Sequence, residues 1–208
     1  MNKYLTEFIG TFFLVLTVGC TVIGGGPHVV PPLAIGAVLM VMIFAGGHVS
    51  GGHYNPAVTL GVWLRGRCAT TDLAPYWLAQ LIGAFVAAYA AKFLVGAPDG
   101  PPMVPRVGPA LIAEFVFTFA LVYVVLNVAT AKGTSGNSFY GLAIGMTAMA
   151  GAFSVGTVSG GALNPAVAIG ASTMGLISGS SIWIHILAEL AAGSAAAAVF
   201  KFINPEDK

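Results

Sequence analysis

Two short stretches concentrate the hydrogen-bonding chemistry of this chain: VSGGHYNPAVTLG at residues 49–61 and VSGGALNPAVAIG at residues 158–170. Nine of the thirteen positions are identical. Each stretch places an Asn-Pro-Ala triplet behind a Gly-Gly pair: Asn55-Pro56-Ala57 and Asn164-Pro165-Ala166. Asparagine is a strong helix N-cap and proline is favoured at the first helical position, so both triplets read as helix starts. A capping asparagine commits its carbonyl oxygen to the helix amides and is expected to keep its NH₂ donors free. Gly51-Gly52 and Gly160-Gly161 are expected to permit extended backbone with outward-facing carbonyls. Those of Gly51, Gly52, His53 and Tyr54, and of Gly160, Gly161, Ala162 and Leu163, then form a ladder of acceptors. Amide donors beside carbonyl acceptors suit a neutral, hydrogen-bonding molecule. One such triplet is an ordinary capped helix; two in a duplicated context ask for a shared purpose.

The surroundings of these stretches are unusual for polar residues. The chain has 208 residues, 57% hydrophobic and 7% charged, where soluble domains carry roughly a quarter charged residues. That composition predicts an all-α membrane protein in a lipid bilayer. A net charge of +1 gives no electrostatic footprint for nucleic acid. Cys20 and Cys68 lack metal-ligand spacing, and no nucleophile–base pair stands out, so neither an enzyme nor a cofactor is expected. The first apolar run begins at Tyr4 and is long enough to span, so it reads as a retained helix rather than a cleaved signal.

Six runs reach the roughly 20 residues a span needs: 4–23, 32–49, 73–95, 108–131, 139–158 and 179–203. Residues 56–64 and 165–176 are apolar too but reach only about half the bilayer at ~1.5 Å per residue. Six spans put both termini on one side, together with Lys3, Arg65, Arg67, Lys132, Lys201 and Lys208; Lys92 and Arg106 fall opposite. The bias of basic residues predicts cytoplasmic termini and a multi-pass protein of the cell membrane, inner or plasma. The duplication extends beyond the triplets. Asn55 maps to Asn164 at an offset of 109 residues, and EFIGTFFLV at 7–15 returns as EFVFTFALV at 114–122. A single domain over 1–208 is expected, with repeats of about 1–96 and 108–208. Each repeat holds three spans, so the second enters the membrane from the opposite face. This inverted plan brings the two half-helix tips together near the midplane. Each tip carries about half a positive charge, which opposes cations.

In GHVSGGHYNPAVTLG, SGGALNPAV and the paired Glu7 and Glu114, the chain resembles the aquaporin, or major intrinsic protein, family along essentially its whole length. The resemblance implies six tilted spans around one pore per subunit, two half-helices, passage of water and small neutral solutes, and a homotetramer. It places the narrow selectivity filter at Ile35, Ala152, Gly161 and Val167. Val167 stands where the family's arginine is expected, Ala152 where water-selective members carry histidine, and Ile35 where an aromatic is common. The implied filter is wide, apolar and uncharged, similar to a vacuolar plant branch that passes water with ammonia or urea. Small filters elsewhere in the family go with metalloid acids, and small polyols also fit. Ala168 replaces the aspartate of glycerol facilitators, which disfavours a channel dedicated to glycerol.

Glu7 and Glu114 lie inside spans, where a carboxylate is expensive. The resemblance makes them braces for the half-helix loops, and His48 a further buried brace. His53 is expected to line the path or to titrate as a gate. Glu189, whose repeat mate is Gln80, reads as a helix-packing contact or part of a subunit interface. An ion channel is opposed by the facing helix tips. The competing function is a secondary transporter of a small neutral solute on the same inverted plan, against which stands the lack of a carboxylate near either triplet.

Overall fold

A computed structural model describes residues 1–207; Lys208, counted above among the basic residues, lies outside them. The long helices are α1 (Asn2–Val22), α2 (Pro31–Ser50), α4 (Thr70–Val95), α5 (Val107–Val125), α6 (Tyr140–Ser159) and α8 (Ile182–Ile203). The half-helices are α3 (Pro56–Leu64) and α7 (Pro165–Met174). A π-helical turn, Leu126–Thr130, extends α5, and short 3₁₀ turns follow at Lys132–Thr134 and precede α8 at Gly179–Ser181. Among the described residues, six segments are long and apolar enough to cross a membrane. The predicted fourth span, 108–131, is observed as Val107–Thr130, its last turn π-helical.

Burial is inverted relative to a soluble protein. Glu7, Gln80, Glu114, His185 and Glu189 are fully buried, while Leu78, Phe93 and Leu187 project outward. The outer faces meet lipid, so polar groups can be satisfied only inside the bundle.

Packing repeats the sequence duplication. The α1–α4 pair in the first repeat is matched by α5–α8 in the second, and α2 crosses α6 between them. At that crossing Gly36 meets Gly145, and a β-carbon on either would lie 2.5–2.7 Å from the other's carbonyl oxygen. Each half-helix packs on the last span of the opposite repeat, α3 on α8 and α7 on α4. Here too small residues set the approach: a β-carbon on Gly193 of α8 would sit 2.5 Å from the Ala57 carbonyl oxygen of α3. Close backbone contact of this kind replaces the hydrophobic drive that lipid does not supply.

One face of the bundle gathers the basic residues. Lys3 Nζ and Tyr4 Oη both donate to Asp72, at 2.6 and 2.8 Å. Arg65 lies over the Phe200 ring and donates to Asp207 at 2.6 Å. The second Asp207 oxygen accepts from the Lys132 backbone amide at 2.8 Å. Residues after α8 therefore clasp both the end of α3 and the turn after α5. The Lys132 amide, aided by Arg65, holds the Asp207 carboxyl below the ordinary aspartate range. A lowered pKa means the clasp is present at neutral pH and is lost as pH falls through that lowered value. Asp207→Ala is expected to speed amide hydrogen exchange at Lys132 at neutral pH. The wild type should match it only under conditions more acid than those that protonate an ordinary aspartate.

Candidate pore

The two half-helix tips meet. Asn55 and Asn164 have extended backbone and cap α3 and α7. Asn55 Oδ1 accepts from the amides of Ala57 and Val58 at 2.8 and 3.4 Å. Asn164 Oδ1 accepts from Ala166 and Val167 at 2.9 and 3.5 Å. Each side-chain amide also reaches across: Asn55 Nδ2 donates to Leu163 O and Asn164 Nδ2 to Tyr54 O, both at 2.9 Å. The expectation of fully free NH₂ groups is therefore corrected. One hydrogen of each is committed to the opposite repeat, and one remains.

The loops before the tips depart from the extended backbone expected of them. Gly51, Gly52, Gly160 and Gly161 all have positive φ, and so do Tyr54 (50°) and Leu163 (52°). A left-handed non-glycine costs about 1–3 kcal/mol and needs surroundings that impose it. The carboxylates do so. Glu7 accepts from Ser50 Oγ, His53 N, Tyr54 N and Gln80 Nε2 at 2.6–2.9 Å. Glu114 accepts from Ala162 N at 3.1 Å and Leu163 N at 2.8 Å. Behind them Tyr76 donates to Ser50 O at 2.8 Å, and its repeat mate His185 contacts Ser159 O through Nε2 at 2.9 Å. His48, expected as a buried brace, is exposed. The buried stripe of α2 runs Leu39, Ile43, Gly46, Ser50, and His48 points the other way at helical spacing.

The acceptor ladder is shorter than the eight carbonyls expected. Tyr54 O and Leu163 O are taken by the asparagines, and the Tyr54 ring is buried beside Gly10 and Gly46, with its hydroxyl on Met42 O at 2.9 Å. Among the described residues, the carbonyls of Gly51, Gly52, His53, Gly160, Gly161 and Ala162 accept no protein hydrogen bond.

Two chambers adjoin this centre. One, of about 300 Å³, is lined by Ile35, Ala152, Gly161 and Val167 together with both asparagines. The other, about 950 Å³, opens at the basic face and includes His48, Gly51, Arg67 and Lys132 in its wall. His53 and Val125 line both. Several wall residues escaped sequence reasoning: Leu14, Val18, Leu39, Leu121, Ile144 and Ala148. The duplication held the signal for them. Leu14 and Leu121 are repeat mates, as are Val18 and Val125, Ile35 and Ile144, and Leu39 and Ala148. The Glu189 carboxyl, also unassigned by sequence to any partner, lies near Glu114 and the Asn164 backbone, with neither oxygen in a protein hydrogen bond.

Comparison with known proteins agrees with this geometry. Residues 1–200 match the sequence model of the family described as Major intrinsic protein. The chain is 37% identical to glycerol uptake facilitator protein-like 6 of Lactiplantibacillus plantarum, with all of both chains covered. It is 36% identical to aquaporin NIP1-4 of Oryza sativa subsp. japonica, over 98% of this chain and 77% of the relative. The X-ray structure of the aquaglyceroporin from Plasmodium falciparum superposes with a TM-score of 0.78 at 21% identity, covering 99% and 95% of the two chains. A duplicated six-span bundle with two capped half-helices meeting tip to tip, matched over nearly its whole length, belongs to the major intrinsic protein family.

Proposed function

We propose that the chain is a passive channel for water and small uncharged solutes, one pore per subunit. The observation that carries this reading is that the chamber lined by both asparagines shares His53 and Val125 with the wide chamber of the basic face. A permeant leaving the wide basic-face mouth passes six unpaired carbonyls and two amide hydrogens without meeting a charged side chain in the 300 Å³ chamber. Fixed dipoles of that kind replace the water shell of a neutral molecule and leave an ion undercompensated. Water at the centre receives a hydrogen bond from each asparagine, which turns its own hydrogens outward and interrupts a proton wire.

In this reading Ile35, Ala152, Gly161 and Val167 form the filter, wide and apolar, so that urea, ammonia, small polyols or metalloid acids accompany water. Glu7 and Glu114 are braces rather than proton carriers, since their oxygens are engaged by the loop amides. The basic face is cytoplasmic by charge bias, which puts both termini inside a cell membrane. The repeats form one channel domain, and the subunit assembles as a homotetramer. The likeness to an aquaporin and to a glycerol uptake facilitator-like protein supports passage of water and a small neutral solute.

Reconstitution tests it. In stopped-flow light scattering, proteoliposomes should exceed protein-free liposomes in permeability to water, urea and ammonia. Strict water selectivity would overturn the wide filter, and unchanged water permeability would overturn the channel itself.

A further inference from the structure

We propose that the pore selects by hydrogen-bond polarity: it favours small neutral solutes whose N–H and O–H donors outnumber their acceptors, and resists acceptor-only solutes of the same size. This deepens the channel reading above and rests on it.

In each repeat three consecutive carbonyls lack a protein donor, Gly51 to His53 and Gly160 to Ala162. The carbonyls on either side of each set are occupied. Ser50 O accepts from Tyr76 and Tyr54 O from Asn164; Ser159 O is met by His185 and Leu163 O by Asn55. The protein thus satisfies the flanking oxygens and leaves the six between them to what passes through. Gly52 and His53 are buried and Gly161 and Ala162 half-buried, where an unpaired carbonyl is unfavourable, so these gain most from a visiting donor, while the exposed Gly51 and Gly160 offer theirs at the two ends of the sets.

Donors are far fewer. Each asparagine has one side-chain amide hydrogen left after capping and cross-repeat bonding, and the backbone N–H of Asn55 has no protein acceptor among the described residues. His53 adds an acceptor rather than a donor. Thr59 Oγ1 donates to Asn55 O at 3.0 Å and accepts from Gln80 Nε2 at 2.9 Å. Its contact with His53 Nδ1 at 3.2 Å is therefore an acceptance, which puts the proton of neutral His53 on Nδ1 and leaves Nε2 with a lone pair. The remaining wall of the 300 Å³ chamber is aliphatic, including Leu14, Val18, Leu121, Ile144 and Val167. An acceptor-only solute finds its few partners at the asparagine centre and must cross the apolar chamber with its oxygen stripped of water. A donor-rich solute exchanges water for carbonyls step by step.

Urea and dimethyl sulfoxide test the rule with equal heavy-atom counts, four N–H donors against none. Each rate in proteoliposomes is taken as the increment over protein-free liposomes. The urea increment is expected to exceed the dimethyl sulfoxide increment by about tenfold or more, the worth of roughly one unmade hydrogen bond. Equal increments, or no urea increment, overturn the proposal. Water separates the two levels: no water increment sinks the channel reading itself, while water conduction with equal solute increments sinks only the selection rule. Val167→Asn adds an uncharged side-chain amide, two N–H donors with one acceptor oxygen, among the outer acceptors. It is expected to raise the dimethyl sulfoxide increment relative to urea severalfold, and an unchanged ratio counts against the rule.

Discussion

Replacing Val167 with arginine is expected to cut urea permeability by on the order of tenfold or more while leaving water permeability within a few-fold of wild type. Val167 is the third residue of α7, and its side chain joins Ile35, Ala152 and Gly161 in the wall of the 300 Å³ chamber. An arginine there lengthens the side chain into that chamber and brings five donors in a planar fork. The partnerless carbonyls of Gly160, Gly161 and Ala162 belong to the same chamber. Guanidinium donors that engage them remove acceptors from the permeant. The added positive charge lies near the positive end of α7 and raises the barrier to cations and protons. Water needs the least width and still meets the asparagine amides. Stopped-flow measurements on the variant and wild type, reconstituted at equal protein density, read both effects. A urea rate unchanged by the arginine would mean that Val167 does not stand at the narrow part of the path.

Glu7→Gln is expected to destabilise the protein by roughly 3 kcal/mol or more, although it changes one atom. Both carboxylate oxygens of Glu7 are acceptors for two donors each: Oε1 for Ser50 Oγ and His53 N, Oε2 for Tyr54 N and Gln80 Nε2. Glutamine keeps one oxygen and turns an NH₂ toward the other pair of donors, leaving them unsatisfied in a fully buried site. The loop that holds Tyr54 in its left-handed conformation loses its anchor, and Asn55 with it. The melting temperature in detergent, followed by tryptophan fluorescence, should fall by about 6–12 °C, and water permeability per folded protein should fall as well. A variant that melts and conducts like wild type would remove Glu7 from the role of brace.

The residues show why the fold was legible and parts of the site were not. Apolar run length set the six spans, and Asn-Pro set the first residue of both half-helices, because these signals are local. The inverted arrangement was readable because the duplication is written in three separate segments. The contacts that close the centre join residues 108 and 110 apart, Asn55 with Leu163 and Asn164 with Tyr54. No local propensity encodes such a bond, so Tyr54 and Leu163 read as open acceptors. Their positive φ was hidden for the same reason, since only the Glu7 and Glu114 anchors make it tolerable. His48 misled because proximity to the motif in sequence is not proximity on the helix: the buried stripe of α2 passes it by. The aliphatic chamber wall was the reverse case. Leu14 with Leu121 and Val18 with Val125 stood in the repeat alignment, and carried no polar atom to draw notice.

The most direct test of the account is the concentration dependence of unidirectional urea flux into proteoliposomes, with and without urea on the far side. A passive path predicts flux that rises in proportion to concentration and is not accelerated by solute on the far side. Saturation together with stimulation from the far side would mean that the asparagine centre opens alternately to one face and then the other, as in a transporter, and would contradict a continuous pore.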